Sequence, residues 1–291
     1  MHYLLILLCS LFFAHSPCDA SSKAPFKLYA FESDPIDVII PSIEKDLDTL
    51  DLSIKGILKY GQNVRRVIVI SSKRLTDEAE WFDESLFPFT KLDVATYLQG
   101  GNPDLGAAYL KKPGNRVGWY YQQLLKLYAP FVIPGISPNV LALDSDTIFF
   151  KNTSFINANG AGLYNPSGEN TRAYFNHINK LTNNQVKRYN RKFSGVAHHM
   201  LFQRCVLQEL FSKVENLHQM DFWKSFLSCV NPKSLFAGAS EYELYFNYVF
   251  SKTKQVEIRE LKWANGSHLE YAPIYKLKGY HYASFHSYLR K

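Results

Sequence analysis

Two carboxylates spaced two apart, Asp144 and Asp146, close a four-residue apolar run in the stretch NVLALDSDTIFF, and the chain returns at once to Ile148, Phe149 and Phe150. In an extended chain, residues two apart face the same side, so both acids would point one way and Ser145 the other. Two like charges that close repel, and one resists ionising unless a cation sits between or beside them. Carboxylate oxygens suit Mg²⁺ and Mn²⁺. A divalent ion held there would grip a diphosphate and neutralise charge on it as it leaves. In open α/β sheets ligands bind beyond the carboxyl ends of strands, which is where this pair falls. The plainer reading is an acidic turn that merely ends a strand.

Two further groups could act beside the pair. Trp119, Gln122 and Lys126 fall on one stripe at helical spacing, with Gln123 beside them. Lys126 and Arg116 could meet a phosphate or pair with Asp144; the alternative is an ordinary amphipathic helix with a wet side. In ASEYELYFNYVF, Ser240 and Glu243 form an S-x-x-E capping box, which gives Glu243 a structural duty at a helix start. Glu241 has no such duty and is a candidate general base for an acceptor hydroxyl, with Glu243 a second candidate. Acidic residues in a first turn are also simply good helix chemistry.

Several elements must position these groups. IDVIIPSIEKDLDTLDLSIKGILKYGQNVRRVIVISS reads as a buried strand over 37–40 ended by Pro41, a helix, and a second buried strand over 67–70. The helix carries Ile43, Leu47, Leu50, Ile54, Ile57 and Leu58 at its spacing, and Gly61 stands where it should stop. Such a β-α-β unit has parallel strands and a right-handed crossover. It has neither GxGxxG nor a P-loop, which argues against a Rossmann dehydrogenase and a Walker NTPase. Residues 89–97 are expected to form a third strand and 99–116 a long Gly/Pro-rich loop. GWYYQQLLKLYAP is a helix closed by Pro130, and NVLALDSDTIFF the next strand. SGVAHHMLFQRCVLQELFSKVENL reads as the longest helix and ASEYELYFNYVF as another. Short strand-like pieces follow near 256–258 and in GYHYASFHSY. The fold class is α/β, a Rossmann-type mixed sheet flanked by helices.

The 291-residue chain is 46% hydrophobic and 20% charged, an ordinary globular composition, and its net charge of +7 favours an anionic partner. The basic residues are scattered, so no nucleic-acid module is expected. The apolar run over 3–14 is too short to span a bilayer and suits the h-region of a signal peptide with cleavage after Ala20. That places the chain in the secretory pathway, with membrane attachment only if the segment stays uncleaved. The mature chain would keep Cys205 and Cys229, as a pair or as two buried thiols. Asn152 and Asn265 open glycosylation sequons.

The segments IDVIIPSIEKDLDTLDLSIKGIL and RVGWYYQQLLKLYAP…NVLALDSDTIFF resemble glycosyltransferases of the GT-A fold. Among them they are similar to a poorly characterised DUF-type group of the nucleotide-diphospho-sugar transferase superfamily. The resemblance is good over 36–150 and looser beyond. It implies one GT-A-like catalytic domain over 25–291, with a nucleotide-sugar-binding half over 25–155 and an acceptor-binding half over 156–291. It implies metal-dependent transfer of a sugar from a nucleotide sugar, a UDP-sugar before others, to a glycan, protein or lipid acceptor, with Mn²⁺ or Mg²⁺. Asp144 would contact donor ribose and metal, and Asp146 would ligate the ion. Pro41 and Ser42 would lie beside the base, with Arg116, Gln122 and Lys126 toward the donor. The tail GYHYASFHSY resembles one that supplies a third metal ligand, His281 first and His286 in reserve, but lacks the usual KPW-type signature. FSGVAHHMLF, with His198 and His199, resembles an acceptor-side segment. Two other functions compete: a haloacid-dehalogenase-type phosphatase using Asp144 as nucleophile, and a non-catalytic glycan-binding protein on the same frame. The phosphatase pattern expects Thr or Val where Ile148 stands.

Overall fold

Val38, Ile39 and Ile40 and the run over 67–70 are almost wholly buried, as strands covered on both faces must be. They belong to strands β1 (Ile36–Pro41) and β2 (Val64–Ser71), which pair in parallel across helix α1 (Leu47–Tyr60). The computed structural model describes residues 26–289, so the expected signal peptide and its cleavage point lie outside the described residues. Strand β3 (Glu80–Asp83) adds to β2 in parallel. Helices α2 (Lys91–Leu98), α3 (Pro103–Lys111) and α4 (Val117–Val132) then lead to β4 (Asn139–Leu143). β4 lies parallel to β1 and turns directly into β5 (Thr147–Phe149).

The later chain begins with β6 (Leu163–Tyr164), α5 (Arg172–Leu181) and β7 (His199–Gln203). α6 (Arg204–His218), α7 (Phe222–Ser228) and α8 (Glu241–Lys252) follow. It closes with β8 (Glu257–Ile258), β9 (Trp263–Asn265), α9 (Ala272–Leu277) and β10 (Tyr282–Ser284). The main sheet has the order β3-β2-β1-β4-β7, parallel but for β7. β5, β10 and β9 form a second sheet, and β6 and β8 a small third one. This is the mixed α/β architecture expected, with helices flanking a mostly parallel sheet. Among the described residues no helix is long and apolar enough to cross a membrane.

The third strand is not where the sequence reading put it. Residues 91–98 are helical because Thr90 and Asp93 cap each other. The Thr90 hydroxyl accepts from Asp93 N at 3.1 Å, and the Asp93 carboxylate accepts from Thr90 N at 2.7 Å. The true third strand, EWFD, is short, charged and at the sheet edge, so it carries no core pattern. The expected loop over 99–116 contains α3. Asn102 caps it by accepting from Asp104 N and Leu105 N, and Pro103 opens it. α3 lies so close to α2 that a Cβ on Gly106 would meet Thr96 Cα at 2.6 Å.

Two other boundaries move. Pro130 lies inside the last turn of α4 rather than closing it. Val196 and Met200 precede the helix they were assigned to, because residues 199–203 are drawn into the sheet as β7, antiparallel to β4, and α6 starts only at Arg204. Cys205 is exposed, Cys229 is buried, and both are free thiols, so neither the pair nor two buried thiols is found. Asn152 and Asn265 of the two sequons are both exposed.

α5 anchors to α7 through His177, which is buried and whose Nε2 donates to Phe226 O at 2.8 Å. Burial pushes its pKa down to about 4, so the folded protein keeps this ring neutral. An unfolded histidine takes its proton near pH 6.5 (roughly). Below that pH the unfolded state binds more protons than the folded one, so the stability held at neutral pH is lost as pH falls toward 4. Between pH 7 and 5 this one group is expected to cost about 2 kcal/mol. Urea unfolding at the two pH values checks it: His177→Gln, which can still donate to Phe226 O, should lose about 2 kcal/mol less than the wild type.

Candidate functional site

β1 and β4 are adjacent and parallel, so Pro41 and the residues after Leu143 emerge at one edge of the sheet. The stretch NVLALDSDTIFF is therefore not one strand. β4 stops at Leu143, Thr147 N donates to Asp144 O at 3.1 Å to close a turn, and β5 departs in a different sheet. The Ser53 hydroxyl donates to Ser145 O at 3.0 Å and pins this turn to α1. The same-side geometry expected for an extended pair is thus replaced by a turn that sends the two carboxylates to different partners.

Asp144 is the centre of a partly buried charge network. Lys126 Nζ, brought from α4, donates to its Oδ1 at 2.6 Å and also to Glu241 Oε1 at 2.9 Å. Tyr242 donates its hydroxyl to the same Oδ1 at 3.0 Å, and His198 Nδ1 stands 3.5 Å from Oδ2. Burial works to raise the Asp144 pKa, but the Lys126 charge and the His198 contact outweigh it and hold the carboxyl well below the usual carboxylate range. Burial likewise opposes the ammonium of Lys126, and the two carboxylates overcome it and raise its pKa. For Glu241 burial prevails over Lys126 and pushes the carboxyl above its ordinary value.

Asp146 turns the other way. Its Oδ2 accepts from His286 Nδ1 at 3.0 Å, while its Oδ1 is buried and without a hydrogen-bond partner. Burial lowers and the Asp146 carboxylate raises the His286 pKa, and the net effect is upward. His198 links the two halves of the site. Its ring lies 4.8 Å from that of His286 and 5.1 Å from that of Trp263, and its backbone has φ of 63°. A non-glycine residue held left-handed costs roughly 1–3 kcal/mol and tends to mark a functional constraint.

A cavity of about 340 Å³ opens beside this turn, lined by Pro41, Ser42, Arg116, Trp119, Gln122 and Ser145 among others. Four of the residues singled out for donor binding, Pro41, Ser42, Arg116 and Gln122, thus share one hollow. Ser145 forms part of its wall, and the two carboxylates are its chain neighbours rather than lining groups. The Ser42 hydroxyl and Arg116 Nε are buried and unpartnered there.

Other expectations do not converge on this site. His281 immediately precedes β10, whose far end, Ser284, pairs with Thr147. Its Nδ1 accepts from Lys262 N at 3.3 Å, and its carbonyl accepts from Phe150 N, which puts it roughly 13 Å along the strand from Asp146. His286, the reserve, takes the place beside the acid. Glu243 is wholly buried with its carboxylate committed to the Ser194 hydroxyl, Gly195 N at 3.1 Å and Asn247 Nδ2 at 2.6 Å. It ties the 194–195 loop to α8 and is not presented to an acceptor. Only half of its capping box forms: its backbone N donates to Ser240 Oγ at 3.2 Å. Glu241 does reach the site, but as a partner of Lys126 rather than an open base. His199 is a core residue packed against Phe149, Phe155 and Tyr282. The sequence reading missed Tyr242 and the cavity face of Ser145. Tyr242 sits in an aromatic-rich helix where nothing local distinguishes it from the core residues around it.

Fold and site together define an α/β protein with a cavity and an acidic turn at the carboxyl edge of a mostly parallel sheet. The chain belongs to DUF6492, a family of unknown function, whose model matches residues 57–270. No curated protein matches it. Among solved structures it is similar to the apo form of mouse xyloside xylosyltransferase 1, with a TM-score of 0.41 and 10% sequence identity over 89% of this chain and 99% of that one.

Proposed function

We propose that the protein is a metal-dependent glycosyltransferase that moves a sugar from a nucleotide-diphosphate sugar, a UDP-sugar before others, to a glycan, protein or lipid acceptor. The observation that carries this reading is the cavity wall formed by Pro41, Ser42, Arg116, Gln122 and Ser145, directly beside the acidic turn. The Ser42 hydroxyl and Arg116 Nε are buried in it without hydrogen-bond partners, and Ser145 in its wall is the chain neighbour of both carboxylates.

The donor set fits a divalent cation. Asp146 offers a buried carboxylate oxygen with no partner, and its other oxygen accepts from His286 Nδ1. Among the described residues no group of three or more His, Cys, Asp and Glu side chains forms a ready-made metal site. The proposed site is therefore of the Mg²⁺ type, in which one or two carboxylates hold the ion and substrate phosphates complete its shell. The imidazole of His286 adds a donor more typical of Mn²⁺. Bound there, the ion would neutralise charge on the departing nucleoside diphosphate.

The chain's own groups have separate tasks in this reading. The Arg116 guanidinium meets the diphosphate and Ser42 the nucleoside. Lys126 and Tyr242 hold Asp144 ionised and fixed, and Glu241 anchors Lys126 from its other side. A dehalogenase-type phosphatase would need Asp144 as a free nucleophile, and its Oδ1 is engaged twice. A panel of nucleotide sugars incubated with the protein and Mn²⁺ tests the reading. Slow release of a nucleoside diphosphate from one donor is the expected result. Release of phosphate from p-nitrophenyl phosphate, with no donor consumed, would reject it.

A further inference from the structure

We propose that Phe236 is a positioning residue that, with Trp119, clamps the Arg116 guanidinium against aromatic faces and so presents its edge to the diphosphate of a nucleotide. The proposal rests on the donor reading above and adds to it a residue outside the cavity wall.

Arg116 stands at the N-cap of α4 without capping it through its side chain. Its guanidinium carbon lies 4.9 Å from the Trp119 ring centroid and 4.6 Å from that of Phe236. Its Nε is buried without a hydrogen bond. All guanidinium donors lie in one plane, so rings on its face leave the donor edge free for a planar or tetrahedral anion. Cation–π contact thus orders the long side chain without using any of its hydrogen bonds.

Phe236 itself needs an explanation, because it is 76% exposed, on a loop, and gains little from burial. The loop is nevertheless fixed on both sides of it. The buried Tyr120 hydroxyl donates to Leu235 O at 3.0 Å and accepts from Gly238 N at 3.1 Å. Gly238 comes so close that a Cβ there would meet the Tyr120 hydroxyl at 2.7 Å, so only glycine permits the pin. A core tyrosine therefore holds a short loop whose one protruding ring is laid on a cavity arginine.

The test is a calorimetric titration of the full chain with UDP in Mn²⁺, for the wild type, Phe236→Ala, Phe236→Leu, Phe236→Tyr, Arg116→Ala and the Arg116→Ala/Phe236→Ala double variant. Phe236→Ala and Phe236→Leu are expected to raise the Kd about three- to fivefold with an unchanged melting temperature, the size of an exposed cation–π contact. Phe236→Tyr should restore wild-type binding. The double variant should bind no more weakly than Arg116→Ala alone, because Phe236 acts only through that guanidinium. Additive losses, or wild-type binding by Phe236→Ala, would overturn the clamp while leaving the donor reading intact. A wild type that does not bind UDP at all would overturn both.

Discussion

Asp146→Ala is expected to lower Mn²⁺-dependent turnover of the nucleotide sugar about 100- to 1000-fold, the cost of losing one fixed group that stabilises developing charge. The reason is local. Asp146 alone in the site has a buried carboxylate oxygen with nothing bound to it, and the turn that carries it is pinned from α1 and adjoins the cavity. Its loss also frees His286, whose raised pKa depends on that carboxylate. The melting temperature should move little, because among the described residues the Asp146 side chain hydrogen-bonds to one histidine. Steady-state rates across a Mn²⁺ series separate the outcomes. If the variant turns over as the wild type does at every Mn²⁺ concentration, Asp146 is no ligand.

Lys126→Met should give the largest stability effect, a loss of about 3–5 kcal/mol. Removing the ammonium strands two carboxylates, Asp144 and Glu241, in a region that burial already makes hostile to charge. For a domain of this size that corresponds to a fall in melting temperature of roughly 10 °C. Adding Glu241→Gln to the variant removes one of the stranded charges and should recover part of the loss. A fall under about 2 °C, against the 2–4 °C that each kcal/mol brings, would mean that the network does not hold Asp144 as described. The same substitution should impair binding of the donor, since Lys126 also fixes the acid beside the cavity.

The parts of the fold that were legible in the sequence are those with a strong period or a continuous apolar run. β1, α1 and β2 follow from such patterns, and so does α8 from its cap at Ser240. α2 and α3 were misread because their signals are caps rather than periods: Thr90 with Asp93, and Asn102 with Pro103. β7 was misread because a buried strand running into a helix shares one unbroken apolar pattern. At the site, Pro41, Ser42, Arg116 and Gln122 share one hollow as expected, whereas the turn separates Asp144 from Asp146. What sequence spacing could not show is which oxygen is left free. That depends on Lys126, Tyr242 and His198 converging on Asp144 from α4, α8 and the segment before β7. His281 and His286 illustrate the same limit. They lie five residues apart, and only the pairing of β10 with β5 decides which reaches Asp146.

Anomalous diffraction from crystals grown with UDP and Mn²⁺ tests the proposed site most directly. The expected result is one manganese peak bonded to Asp146 Oδ1 and to the diphosphate, with the base in the hollow beside Pro41 and Ser42. A nucleotide found elsewhere would contradict it, for instance in the separate cavity of about 430 Å³ lined by Arg172, Lys187 and Arg188. So would a manganese ion with no bond to Asp146.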